Sequence, residues 1–129
     1  MTSLSQKSIN NSLTRANSSE IASYFLPSNK TEDLTLGASG TKYIAPANGW
    51  VWLDKSGGGS NAFIDCSVFD SDNNWLYSDS RYKPSSPSEI SILFPVKKGN
   101  EFTVTYNAIG TVYKFKFIYA IGSEREATQ

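Results

Sequence analysis

Histidine is missing from this chain of 129 residues, and cysteine occurs once, as Cys66. Without histidine there is no imidazole general base, no Ser-His or Cys-His dyad and no histidine metal ligand. One cysteine cannot form an intrachain disulfide or a cysteine-based zinc site. A chain without disulfides fits assembly in a reducing cytoplasm. A surplus of charge is missing too: Lys plus Arg and Asp plus Glu number 12 each, so the formal net charge is zero. Proteins that grip nucleic acid carry a basic excess to neutralise phosphates, and no run of like charge supplies one here. Nucleic acid is therefore discounted as a partner. The N-terminus lacks the basic-then-apolar order of a signal peptide, and no apolar run is long enough to cross a bilayer. Membrane insertion is not expected, and neither is a secreted signalling ligand.

What is abundant is uncharged polarity. The charged share is 19% and the hydrophobic share 39%, both below the usual globular values, and Ser, Asn and Thr fill the gap. Such surfaces are common on proteins that meet sugars or work outside cells. The length suits one domain.

Residues 1–31 read as a stalk or linker segment, 32–122 as a β-rich head and 123–129 as a flexible tail. Ser3 with Gln6 three residues later forms a capping box. Gln6, Ile9, Leu13 and Ala16 then make a short a/d seam of about two heptads. So short a helix is marginal alone in water, which leaves two readings: a helix held by three copies side by side, or an unstructured tail. Residues 17–20 would end the helix, and 21–26 lead to Pro27 and a loop.

From Glu32 onward strands alternate with turns. Strands are expected at 33–36, 41–45, 50–54, 63–69, 75–78, 90–94, 101–106 and 112–119. Turn signals at Asn48-Gly49, 56–60, 70–74, Lys98-Gly99-Asn100 and Ile109-Gly110 divide them. Pro95 is expected to end one strand, and a polar loop with Pro84 and Pro87 runs to Ser88. About eight short strands without a convincing helix point to a sandwich or barrel. Parity places Ile64, Cys66 and Val68 on one face, Ile90, Ile92 and Phe94 on another, and Phe102, Val104 and Tyr106 on a third. The last strand lines up Tyr113, Phe115, Phe117 and Tyr119. These four rings are either core of one sandwich or, with Trp50 and Trp52, part of an interface around a threefold axis.

Several candidate chemistries can be weighed on the residues. Asp70-x-Asp72-x-Asn74 copies the start of an EF-hand loop, but Trp75 and Arg81 stand where Gly and an acidic residue are needed, so a hairpin turn is the better reading. Cys66 between apolar neighbours reads as a small buried hydrophobe. Gly57-Gly58-Gly59 lacks the Lys-Ser or Lys-Thr of a phosphate loop and reads as a flexible turn. Scattered carboxylates (Asp54, Asp65, Asp70, Asp72, Asp79, Glu89) could form a glycosidase pair only if two met about 5 to 9 Å apart, for example as a cross-strand pair of Asp65 with Asp79. No enzymatic activity, cofactor or metal is expected. For binding, the segment 72–82 stands out: Asp72, Asn74, Trp75, Tyr77, Arg81 and Tyr82 mix rigid rings with adaptable polar groups. The alternative is that Trp75 and Tyr77 point inward from a hairpin.

Three stretches carry a family resemblance. LTLGASGTKYIAPANGWVWL (34–53), PVKKGNEFTVTYNAIG (95–110) and FKFIYAIG (115–122) resemble strands of a bacteriophage tail-fibre tip family. SQKSINNSL (5–13) is similar to a segment found where tail-fibre stalks meet their heads. Asn100 stands where the family often has Asp, and 70–88 has no counterpart. The resemblance implies an all-β fold: a jelly-roll β-sandwich of about eight to ten antiparallel strands, like tumour necrosis factor and the globular complement domains, behind a short helical or extended stalk. It also implies a homotrimer in the virion's tail fibre, assembled in the bacterial cytoplasm, whose partner is a glycan or protein on the host surface. A structural cap that knots three fibre chains together is the second reading.

Overall fold

A computed structural model describes residues 26–56, 61–83, 89–107 and 110–126. The stalk helix, the glycine loop at 57–59 and the proline loop at 84–88 lie outside the described residues. Eight strands form among those described: β1 Pro27–Asp33, β2 Lys42–Ile44, β3 Gly49–Ser56, β4 Ala62–Phe69, β5 Trp75–Lys83, β6 Glu89–Val96, β7 Glu101–Tyr106 and β8 Val112–Ala120. They make two antiparallel four-stranded sheets, ordered β1-β8-β3-β6 (sheet A) and β2-β7-β4-β5 (sheet B). The chain changes sheet at every connection except the β4–β5 hairpin. That alternation is the strand order of a jelly roll, two Greek keys wound into one sandwich.

Side-chain alternation explains why these segments are strands. Along β4 the sequence AFIDCSVF alternates buried and half-buried residues, and along β6 EISILFPV alternates exposed and buried ones. The inward sets, Ile64, Cys66 and Val68 from β4 and Ile90, Ile92 and Phe94 from β6, meet in one core with Val51, Leu53, Phe102 and Val104. Each large apolar side chain so buried contributes roughly 1.5–3 kcal/mol. Cys66 is one of them, and burial pushes its thiol up to about 12, so it is inert.

The rings of β8 decide one of the open readings. Phe115, Phe117 and Tyr119 are all buried within a single chain. Val51 pairs with Phe117 and Leu53 with Phe115, and Phe117 stacks edge-on against Tyr119 at 4.9 Å. These three side chains are core, not subunit interface, because their parity matches the inward residues of β3. Close approach of the two strands depends on Gly49: a Cβ there would lie 2.3 Å from the Ile118 carbonyl oxygen and 2.7 Å from the Phe117 ring.

Other boundaries move as well. The sandwich begins at Pro27 rather than at residue 32, since β1 pairs with β8 from Pro27↔Ala120 to Asp33↔Lys116. β5 runs to Lys83, so much of the expected polar loop is strand. Pro95 sits inside β6. β6 is the edge of sheet A, where a missing N–H costs no ladder bond. Lys55, 1% exposed on the inner side of β3, holds its ammonium 5.8 Å from the centre of the Tyr106 ring, and burial lowers its pKa.

Candidate functional site

The outer face of sheet B is assembled row by row from strand register. One row runs Ile44, Glu101, Phe69, Trp75; the next Lys42, Thr103, Ser67, Ser78; then Thr105, Asp65, Ser80; and last Phe63, Tyr82. Paired residues on adjacent antiparallel strands point to the same side, so these side chains share one surface. Its middle is hydroxyl-rich, and each end carries aromatic rings. Trp75 and Tyr82 are both 60% exposed. Their β4 partners Phe69 and Phe63 are six residues apart, so the two aromatic ends stand roughly 20 Å from one another along the strand.

Local contacts hold this platform in shape. The Tyr82 hydroxyl donates to Asn61 Oδ1 at 2.7 Å, and Asn107 Nδ2 donates to the Asn61 carbonyl at 2.9 Å. Ser80 Oγ donates to Asp65 Oδ1 at 2.8 Å. At the other end the Lys42 ammonium lies 5.8 Å from the centre of the Phe69 ring and 3.5 Å from Glu101 Oε2. Lys42 also donates to Asn73 Oδ1 at 3.2 Å, which ties the β4–β5 turn to β2.

That turn is a self-contained Asx structure. Asp70 Oδ1 accepts from the backbone N–H groups of Asp72 and Asn74, both at 2.9 Å, and Asp70 Oδ2 accepts from Asn74 Nδ2 at 3.1 Å. Asn73 takes a left-handed φ of 66°, which asparagine tolerates. The hydrogen bonds from Asn74, and that from the Asp72 backbone, hold the Asp70 carboxyl below its ordinary range. The resemblance to a calcium loop is thus a hairpin turn whose first carboxylate is bonded to its own backbone.

The six residues expected to bind receptor do not form one site. Trp75 and Tyr82 lie on the platform, and Asp72 and Asn74 in the turn beside it. Tyr77 and Arg81 pair with Val68 and Ile64 and so lie on the opposite, core-facing side of β5. Arg81 forms a 2.9 Å ion pair with Asp79 there, and the Tyr77 hydroxyl donates to the Pro95 carbonyl of β6. Asp79 pairs with Cys66 and Asp65 with Ser80, so Asp65 and Asp79 are on opposite faces and do not make a catalytic pair. Phe63, Phe69, Ser67, Thr103 and Thr105 were not singled out from the sequence; the alternation of 63–69 carries the signal, since its outward set is Phe, Asp, Ser, Phe.

Of the residues expected at a threefold interface, Trp50 and Trp52 are half-buried on the outer face of sheet A and Tyr113 is exposed near the start of β8. Trp52 pairs with Leu93 on one side and Lys116 on the other, and its indole N–H donates to Ser91 Oγ at 3.0 Å. Lys116 in turn bonds Asp33 at 2.8 Å. Near the far end of this face Asp54 is 8% exposed, and hydrogen bonding to it, followed by repulsion from its charge, raises the Glu89 pKa.

No family model matches the chain, and no curated protein matches it by sequence. Among solved structures it is similar to the crystal structure of FlgD from Xanthomonas campestris, described for its part in hook capping in flagellar assembly, at 11% identity and a TM-score of 0.36. That match covers 77% of this chain and 74% of FlgD.

Proposed function

We propose that this jelly roll is a receptor-binding head of the bacteriophage tail-fibre-tip kind, and that it holds a host-surface glycan on the outer face of sheet B. One observation carries the reading: a hydroxyl-rich strip bounded by rings, exposed Trp75 beside half-buried Phe69 at one end and exposed Tyr82 beside half-buried Phe63 at the other. Flat rings cover the apolar faces of sugar rings, and serine, threonine and aspartate exchange hydrogen bonds with sugar hydroxyls without a large desolvation cost. The length of the strip suits an oligosaccharide rather than a single sugar. In this reading the protein binds and does not catalyse.

Trimerisation belongs to the same proposal. The outer face of sheet A, centred on Trp52 and Leu93, is what a second copy would cover, in a virion fibre assembled in the host cytoplasm. Three copies would offer three platforms, and weak contacts at each would add up through avidity. The structural-cap reading keeps this interface and drops the glycan.

The test is adsorption of the labelled full chain to a panel of bacterial strains and immobilised glycans, with Trp75→Ala and Tyr82→Ala compared to the native protein. Loss of an exposed anchor ring is expected to weaken binding on the order of tenfold or more while the fold and oligomer persist. Adsorption that survives both substitutions together removes the platform as the receptor site. Binding to no strain and no glycan, with trimers intact, favours the structural cap.

A further inference from the structure

A concave surface lies away from the platform, at the end of the sandwich where β3 begins and β6 and β8 end. It is a cleft of about 930 Å³, within the size range of small-molecule sites. Trp50, Pro95 and Ile121 supply apolar wall, Asn48 supplies an amide, and Lys97 and Arg125 supply positive charge. None of the described residues lining it is a carboxylate. The nearby Glu124 is turned to the backbone instead, its Oε2 accepting from the Gly122 N–H at 2.8 Å.

The walls are fixed before any ligand arrives. Asn48 joins three segments: its carbonyl accepts from the Ala120 N–H and its side-chain oxygen from the Lys98 N–H, both at 2.9 Å. The Ile121 N–H donates to the Leu26 carbonyl at 2.9 Å, which anchors the end of β8 to the start of β1. Gly122 turns the chain with a φ of 96°, a conformation that L side chains rarely take. Tyr77 braces the other wall through its bond to Pro95. Preorganised walls lose little entropy on binding.

We infer that this cleft is a binding site for an anionic sugar unit, stacked on Trp50 with its acid group met by Lys97 and Arg125. The charge balance of the lining selects an anion, and the indole with Pro95 and Ile121 selects a ligand with an apolar face. A free inorganic anion would leave that wall unused, and a neutral sugar would leave two cations unmatched. A carboxylate on a uronic acid and a phosphate on a polyol share this chemistry. The inference does not rest on the platform, which uses different side chains on the other sheet.

The three tryptophans give one indole N–H signal each, so a heteronuclear NMR titration of the ¹⁵N-labelled full chain separates the sites. Trp50 reports on the cleft, Trp75 on the platform, and Trp52 serves as the reference. Tri-galacturonate and a glycerol phosphate oligomer are titrated separately, with methyl-esterified tri-galacturonate as the uncharged counterpart. A saturable shift of the Trp50 signal with at least one anion is expected, and which one produces it identifies the acid group. The ester should bind roughly tenfold more weakly, as should the anion to the Lys97→Gln/Arg125→Gln double variant. Both side chains are exposed, so the variant's remaining spectrum checks its fold. The inference is overturned if neither anion moves Trp50 at millimolar concentration, if only Trp75 moves, or if the double variant binds the anion as the native chain does. Trp75 shifting with neutral glycans alone would leave the platform standing and remove the cleft.

Discussion

The two outer faces of the sandwich are built on the same scaffold of antiparallel strands, yet they carry opposite chemistry. Sheet A turns Trp52, Leu93 and Ile118 outward, with Trp50 at the end of the strip where it lines the cleft, and is bordered by the Asp33–Lys116 ion pair and the Asp54–Glu89 carboxyl pair. Sheet B turns Ser67, Ser78, Ser80, Thr103 and Thr105 outward and confines its rings to the two ends. Neither pattern is required by the core, which needs only the inward half of each strand. An apolar strip gains by losing water altogether, which suits another protein surface. A hydroxyl strip gains little from drying and suits a ligand that brings its own hydroxyls. The same fold can therefore devote one face to self-association and the other to recognition.

Phe115, Phe117 and Tyr119 of β8 belong to the core and to neither outer face. Phe117→Ala tests that with the largest effect: burial and cavity terms together should cost about 3–5 kcal/mol, read as a lower urea midpoint. Dissociation with monomer stability unchanged would instead return Phe117 to an interface. Next comes the contrast between faces. If the proposed trimer forms through sheet A, Trp52→Ala should shift light scattering at micromolar concentration from trimer to monomer. Trp75→Ala should leave the oligomer intact and alter stability by no more than about 0.5 kcal/mol. The reverse pattern would exchange the roles of the two sheets.

A smaller effect belongs to the carboxyl pair on sheet A. Glu89 has a raised pKa in the fold, caused by the hydrogen bond and the repulsion from Asp54. Its contribution to stability is fully present below the ordinary glutamate pKa of about 4.3 and is lost as pH rises through the folded value. Glu89→Gln keeps the side chain neutral at all pH values. Its thermal midpoint should exceed the native one near pH 7 and depend less on pH between 4 and 7. A native midpoint that rises through this window to meet the variant's would show that the two carboxyls are not coupled. The smallest effect is expected from Asp33→Asn. The Asp33 side chain is 82% exposed, so its ion pair with Lys116 is screened by water and the midpoint at neutral pH should not measurably move.

Much of the fold was legible from local pattern. The alternation in 101–106 marks β7 to the residue, and the turn signal Lys98-Gly99-Asn100 is realised with Gly99 at a φ of 83°. Pro95 misled because a proline stops a central strand and not an edge one, and edge position is a property of the whole sheet. β5 ran past Ser78 because its pairing with β4 continues from Val68 back to Ala62, a long-range fact that the polar residues of 79–83 do not announce. The candidate site was half legible. Trp75 and Tyr82 stood out as rings among polar residues, but the bulge between Val68 and Phe69 puts Trp75 on the same side as Tyr82 and leaves Tyr77 on the other.

By itself, the order of residues determined the class of fold, the inward sets of β4, β6 and β7 and the turns at 70–74 and 98–100, because backbone propensity and a two-residue period are local properties. It also excluded histidine chemistry and an intrachain disulfide within these 129 residues. Only the tertiary structure decided which outward residues became neighbours. Phe63, Ser67, Thr103 and Tyr82 share a face because strands distant in sequence lie about 4.8 Å apart in one sheet. Trp50 and Arg125 line one cleft because Asn48 ties the β2–β3 connection to the end of β8. Such proximity follows from packing two sheets over a common core, which no single segment encodes.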